Sequence, residues 1–330
     1  MQTQPTDSLR SKQPLVSFII PVYNVPVDMV HECIASITAL SLRPFEREII
    51  VVDDGSDACQ LNDITDHTDN LIYIRQKNKG VSTARNQGLR MAHGSFIQFI
   101  DGDDKLLQAP YEHVLDIVRY QKADMVTFDF TKNDTVDNKY EDGQPTTGTQ
   151  FMRNNNIHGS VCGYIFKRNI LGELQFTPGM AYGEDEEFTA QLLLRAENVV
   201  CTSAKAYYYR MRQASAINAQ DMESRLKRLN DNKEVLYSLH NKADTMPTDE
   251  RMALQRRVAQ LTMDYIYNII ILTQDHKYLT QQLEELRTKG LFPLPDRNYT
   301  TKYNWFRRMT NSDFGLTILM RTLPLINKER

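Results

Sequence analysis

The sequence predicts an α/β fold: a mostly parallel central sheet flanked by helices, followed by a helical C-terminal region. Three observations predict it. Short β-branched or aromatic runs alternate with helical patterns over the first 130 residues. Those runs are continuously apolar, as strands buried on both faces must be. From about residue 220 the apolar residues recur at spacings of three and four.

The strands come in the order "LVSFIIPVY", "EIIVVDD", "LIYIRQ", "SFIQFID" and "DMVTFDF". Between the first two lies "VDMVHECIASITAL", whose Val30, Ile34, Ile37 and Leu40 fall on one helical face. "STARNQGLRMAHG" reads as a second helix, with Ser82 as its N-cap and Gly94 beyond its last turn. Strand–helix alternation implies right-handed crossovers and parallel pairing. Ligands of such sheets sit outside the carboxyl ends of the strands, which points to "PVYN", "DDGS" and "DGDD". Residues 131–150 are polar and turn-rich, a surface excursion. An apolar run "SVCGYIFKR", an acidic turn into a helix "YGEDEEFTAQLLLRAE" and an aromatic strand "KAYYYRMRQASA" follow. "MESRLKRLNDNKEVLYSLHNK", "DERMALQRRVAQLTMDYIYNIIIL" and "LTQQLEELRTKG" are helical. We therefore expect a loosely attached N-terminus over 1–14, a catalytic domain over 15–219 and a helical region over 220–330.

Composition sets outer bounds. The 330 residues are 41% hydrophobic and 25% charged, with a formal net charge of −3. That balance gives no reason to expect a nucleic-acid partner. Cys33, Cys59, Cys162 and Cys201 are widely spaced, with no CxxC pair, so reduced thiols are expected. The N-terminal stretch lacks the apolar core of a signal peptide, and no run approaches the ~18 apolar residues of a spanning helix. A cytoplasmic setting is the expectation.

The chemistry concentrates where strands end. Asp101 and Asp103 stand at i and i+2, on one side of an extended segment. Their hard oxygens suit Mg2+ or Mn2+, ions often held by one or two carboxylates with phosphate oxygens completing the shell. The alternative is an Asp-Gly turn that caps backbone groups. A second acidic strand end, Asp53–Asp54, favours a ligand crevice. There Asp53 could accept from a base imide or a ribose hydroxyl, while Asp54 and Ser56 read as caps for the segment after Gly55. Arg85, in "NKGVSTARNQG", supplies a guanidinium for phosphate, or for one of the aspartates.

"PVYN", "VVDDGS", "NKGVSTARNQG", "IDGDD" and "YGEDEEF", with "VCGYIFKR" and "YYYRMRQASAI" after them, stand in the order and spacing of family 2 glycosyltransferases. The chain resembles that family, in its bacterial polysaccharide type, over residues 15–218. The resemblance implies a GT-A fold, a nucleotide-sugar donor with uridine as the expected base, and inverting transfer of one sugar to a hydroxyl. The acceptor it implies is a saccharide or lipid-linked saccharide. By position, Pro21, Val22 and Tyr23 with Asp53 would hold the nucleoside. Asn78, Arg85 and Gly102 would lie along the donor, and Arg210 would brace the diphosphate. Asp103, with Asp101, would bind Mn2+ or Mg2+; Asp185 would be the general base and Glu184 its neighbour. The QxxRW motif of the processive members is missing; the only tryptophan is Trp305.

Two other classes are weighed. A dinucleotide-dependent oxidoreductase needs a Gly-rich turn after the first strand, and "FIIPVYNVPV" has no glycine. A non-catalytic nucleotide-sugar binder would not need Asp101, Asp103, Glu184 and Asp185 together. Residues 301–330 carry Lys302, Arg307, Arg308, Arg321, Lys328 and Arg330 against Asp313 and Glu329, interleaved with Trp305, Phe306, Phe314 and leucines. Such a segment lies in an anionic membrane interface or packs on protein; both readings stay open, as does the oligomeric state.

Overall fold

The computed structural model describes residues 13–58, 70–133, 139–211, 221–297 and 299–328. Cys59, most of the expected loose N-terminus and residues 212–220 lie outside that set, so expectations on them are not met or missed here. The described residues fall into two units. The first is drawn from Met1–Pro145, Val161–Gly179 and Asn198–Arg210, the second from Thr146–Ser160, Met180–Glu197 and Met211–Arg330.

Eight strands form the sheet of the first unit: β1 (Val16–Val22), β2 (Arg47–Asp53), β3 (Leu71–Arg75), β4 (Phe96–Phe99), β5 (Lys105–Leu106), β6 (Met125–Thr131), β7 (Tyr164–Lys167) and β8 (Val199–Tyr208). Their order is β3-β2-β1-β4-β7-β6-β8-β5. Among the described residues, helices α1 (Val27–Thr38), α2 (Val81–Met91) and α3 (Gln108–Tyr120) serve as crossovers. Every residue of β1 and β4 is buried, which is why their sequences read as unbroken apolar runs. β1, β2, β3 and β4 pair in parallel, and β6 pairs in parallel with β8.

Two strands depart: the short β5 pairs antiparallel with β8, and β7 sits between β4 and β6 antiparallel to both. Between β6 and β7 the described α-helix, Gly148–Asn154, belongs to the second unit, and the chain re-enters the sheet in the reverse direction. The excursion itself touches the sheet: Asp142 bridges to Thr202, and Gly143 N–H donates to the Cys201 carbonyl at 2.7 Å. One further expectation is corrected. Ser82 is inside α2, and Gly80, at φ +87°, is its N-cap. Glycine alone takes that backbone without strain, so it displaces the serine from the capping position.

The second unit is helical: α4 (Gly148–Asn154), α5 (Glu184–Leu193), α6 (Met222–Asp244), α7 (Thr248–Thr273), α8 (His276–Thr288), α9 (Thr301–Thr310) and α10 (Asp313–Lys328). Asp221 caps α6 by accepting from Ser224 N–H, and Asp275 caps α8 by accepting from Lys277 and Tyr278 N–H. α7 is buried on most sides: Leu254, Val258, Met263, Ile266, Ile269 and Ile270 are inside, and so are Arg256, Arg257 and Gln260. It is the central helix of this unit. Among the described residues no helix is long and apolar enough to cross a membrane.

Candidate active site

In the first unit the carboxyl ends of β1, β2 and β4 meet, as the parallel register requires. Val22 pairs with Asp53 in the β1–β2 register, and Asp54 N–H donates to the Val22 carbonyl at 2.8 Å. Gly102 lies against Val22 and the Pro21 carbonyl. Tyr23 is half exposed just beyond the strand end. The residues expected to hold a nucleoside therefore form one crevice edge.

Asp53 is a buried carboxylate, 1% exposed, whose oxygens already accept from protein. Ser56 N–H donates to Oδ1 at 2.8 Å, and the Tyr73 hydroxyl donates to Oδ2 at 2.6 Å. Arg75 stands 3.4 Å from Oδ2. Burial pushes its pKa up, but Tyr73, Ser56 and Arg75 outweigh burial and hold it below the usual carboxylate range. Any contact from Asp53 to a nucleoside shares those oxygens. The segment after Gly55 that Asp54 and Ser56 are expected to cap runs into residues 59–69, outside the described set. The Asp54 carboxylate accepts from Lys79 and Gly80 N–H at 2.9 and 2.8 Å, while Ser56 Oγ accepts from Asn24 N–H. These contacts tie the loop before α2 to β2 and bring Asn78, whose side chain is exposed, to the crevice.

Asp101, Gly102, Asp103 and Asp104 form a tight turn closed by Asp104 N–H to the Asp101 carbonyl at 3.0 Å. The extended geometry expected for Asp101 and Asp103 is thus corrected: glycine between aspartates folds the chain back. Three carboxylates crowd one turn, and their environments differ. Asp101 is ion-paired with Arg85 at 3.2 Å; the Arg85 side chain is only 4% exposed and its guanidinium lies 5.4 Å from the centre of the Phe176 ring. Asp104 points inward, accepting from the Tyr207 hydroxyl and Arg210 N–H, each at 2.8 Å. Burial, reinforced by repulsion from Asp101, pushes the Asp104 pKa up to about 7 despite those hydrogen bonds. Burial also raises the Cys33 thiol well above its ordinary value, with Asp104, Asp101 and Asp103 adding to it.

Arg210 follows the end of β8. Its Nε donates to the Asp103 carbonyl at 2.9 Å and Nη2 to Glu32 at 2.6 Å. Sequence reading missed the inward turn of Asp104 and its partner Tyr207, and the Glu32 partner of Arg210, contacts that join positions about 100 or more apart. It also missed Asn86, whose amide clamps the Phe176 backbone with two hydrogen bonds, 2.8 and 2.9 Å. "ARNQG" contains that residue, but nothing local marks its partner.

A divalent cation was expected on Asp101 and Asp103. Among the described residues no three His, Cys, Asp or Glu side chains form a ready metal-holding group. The donor set still fits a magnesium-type ion, which takes only one or two carboxylates when phosphate and water complete its shell. The repulsion that raises Asp104 is the physical sign of concentrated negative charge at this turn.

Glu184 and Asp185 belong to the second unit, on the first turn of α5. Gly183 precedes them at φ +82°, a left-handed residue that swings the chain into the helix; an added Cβ would stand 3.0 Å from Asn232 Oδ1. The first turn holds four carboxylates, Glu184 to Glu187, which a helix N-terminus favours. Glu186 is ion-paired with Arg257, and Ser238 donates to Glu187 at 2.5 Å. Glu184 is buried and Asp185 half-buried. Arg257 is 4% exposed and also feels Asp264, so α7 holds the acidic turn electrostatically. Arg257→Ala is expected to cost about 3 kcal/mol in urea unfolding, the low end for a buried pair because Glu186 is 31% exposed. A change well under about 1 kcal/mol would show the pair to be solvent-screened.

Residues 17–174 match the model of "Glycosyl transferase family 2". Over those residues the chain is similar to family 2 glycosyltransferases, and its sheet with flanking helices has the GT-A fold. It is 28% identical over 213 residues to the uncharacterized glycosyltransferase EpsJ of Bacillus subtilis, covering 60% of this chain and 61% of that protein. It is 30% identical over 223 residues to glycosyltransferase GlyA of Streptococcus pneumoniae, covering 61% of this chain and 31% of that one. The chain thus spans less than two thirds of the length of these relatives. Among solved structures, S. aureus TarS 1–349 in complex with UDP-GlcNAc superposes with a TM-score of 0.61 at 17% identity, covering 95% of this chain and 91% of that one.

Proposed function

We propose that this chain is a metal-dependent, inverting glycosyltransferase that moves one sugar, hexosyl or N-acetylhexosaminyl, from a UDP-sugar to a saccharide or lipid-linked saccharide hydroxyl in polysaccharide biosynthesis. The observation that carries it is the Asp101–Asp104 turn set against Pro21–Tyr23 and Asp53 in a family 2 segment. The proposed catalytic domain is 15–219, because every candidate residue lies within it. The minor teichoic acid biosynthesis protein GgaB of Bacillus subtilis, 26% identical over 207 residues, supports the polymer context.

The residues divide the work as follows. Asp101 and Asp103 would hold Mn2+ or Mg2+, which when bound supplies Lewis-acid stabilisation of the departing diphosphate. Arg85 and Arg210 fix the two ends of that turn, Arg85 through Asp101 and Arg210 through the Asp103 carbonyl. Asp185 takes the proton of the attacking hydroxyl as its oxygen bonds to the anomeric carbon. The bond from that carbon to the diphosphate breaks, and its electron pair leaves on the nucleotide. A single displacement requires base and leaving group on opposite faces of the carbon. The test is turnover with Mn2+ across UDP-, GDP- and dTDP-sugars. UDP-sugar turnover that EDTA abolishes is expected; no turnover of any donor would reject the enzyme reading in favour of a binding protein.

We also assign the tail to an anionic membrane surface. Phe314, Ile318, Arg321 and Leu325 follow at spacings of four, three and four, so one face of α10 presents them together. Phe314 is 77% exposed and Leu325 65%, and Trp305, Lys302 and Arg308 on α9 are exposed as well. Basic and apolar groups on one face match an anionic lipid surface. Phe314→Glu with Leu325→Glu, both exposed, is expected to abolish flotation with phosphatidylglycerol vesicles. Unchanged flotation, or a wild-type chain that fails to float, would remove this contact.

A further inference from the structure

The second unit contains a cavity of about 250 Å3 that the mechanism above does not use. It is walled by the turn Tyr182–Gly183 and Glu186, by Arg228, Asn232 and Val235 of α6, and by Leu261, Asp264, Tyr265 and Asn268 of α7. Most polar residues here are engaged. Glu186 pairs with Arg257, Asp264 accepts from the Tyr303 hydroxyl at 2.9 Å, and Tyr265 donates to Gln282 at 2.7 Å.

Three lining side chains are different. Arg228, Asn232 and Asn268 make no side-chain hydrogen bond or ion pair with any described residue, although all three border the cavity. Each asparagine amide offers both donors and an acceptor, and the guanidinium offers donors only. A wall that mixes donors and acceptors with apolar patches suits vicinal hydroxyls on a small ring or polyol. The volume lies below the ~300 Å3 at which pockets begin to enclose drug-sized ligands, so one sugar unit fits better than a chain. Gly183 and Glu186, which flank Glu184–Asp185 in sequence, are part of the same wall. Arg228, Asn232 and Asn268 all lie beyond the family 2 segment, where a chain-specific acceptor requirement would be written.

We propose that this cavity is an acceptor subsite: Asn232 and Asn268, with Arg228, hold one hydroxyl-rich sugar or polyol unit beside the turn that carries Asp185. The inference rests on the glycosyl-transfer reading, since it names the substrate of that same base.

Ligand-observed saturation-transfer NMR on the full chain tests it, with methyl glycosides of glucose, galactose and N-acetylglucosamine and with ribitol as probes. At least one probe is expected to bind. Asn232→Ala with Asn268→Ala should weaken that probe about tenfold, the loss of two ordinary hydrogen bonds, with an unchanged melting temperature. Asn268→Leu, which fills the cavity, is measured alongside so that a fold defect in the double variant leaves a second reading. Binding unaffected by both variants, or no binding of any probe to the wild-type chain, overturns the subsite. A UDP titration on the same sample separates the two claims. UDP binding without probe binding rejects the subsite alone; probe binding without UDP binding rejects glycosyl transfer and the acceptor assignment with it.

Discussion

Asp185→Asn is expected to leave UDP affinity unchanged while slowing sugar transfer about 10²–10⁴-fold, the span of a lost general base. The substitution keeps the size and hydrogen-bonding shape of the side chain. It removes one of four negative charges from the first turn of α5, where each is worth only ~0.3–1 kcal/mol to the helix. Glu186 and Glu187 stay tied to Arg257 and Ser238, so the turn itself remains held. A fall in rate therefore reports chemistry and not unfolding. Near-normal transfer would move the base elsewhere, with the buried Glu184 the first residue to substitute next.

The second large effect is expected from Asp103→Ala. Its loop is anchored through backbone: Arg210 Nε donates to the Asp103 carbonyl, and the turn closes between Asp104 N–H and the Asp101 carbonyl. Alanine preserves both contacts and removes only the carboxylate. Loss of about 3 kcal/mol of metal-derived stabilisation would slow turnover about 10²-fold. It should also raise the Mn2+ concentration needed for half-maximal rate. The same substitution at Asp101 is harder to interpret, because it also removes the ion pair of the buried Arg85. An Asp103→Ala enzyme with parental rate and parental metal requirement would take the cation away from this turn.

Much of the fold was legible because parallel strands buried on both faces leave unbroken apolar runs. β1, β2 and β4 read that way, and their ends named the crevice before any coordinates did. β7 was not legible in direction, since periodicity reports burial and not polarity of pairing. The Asp101–Asp104 turn was half legible. Three acidic residues in four announced charge at a strand end, but which of them turns inward is decided by Tyr207 and Arg210, more than 100 positions later. Arg257 had no signal at all: within α7 it looks like any solvent-facing arginine, and only Glu186 and Asp264 make it a buried one.

Calorimetric titration of UDP into the wild-type chain, once with Mn2+ and once with EDTA, tests the central claim most directly. Binding that appears with Mn2+ and vanishes with EDTA is the predicted result, since the turn at 101–104 is to grip the diphosphate through a cation. UDP binding of equal strength in both buffers would contradict it.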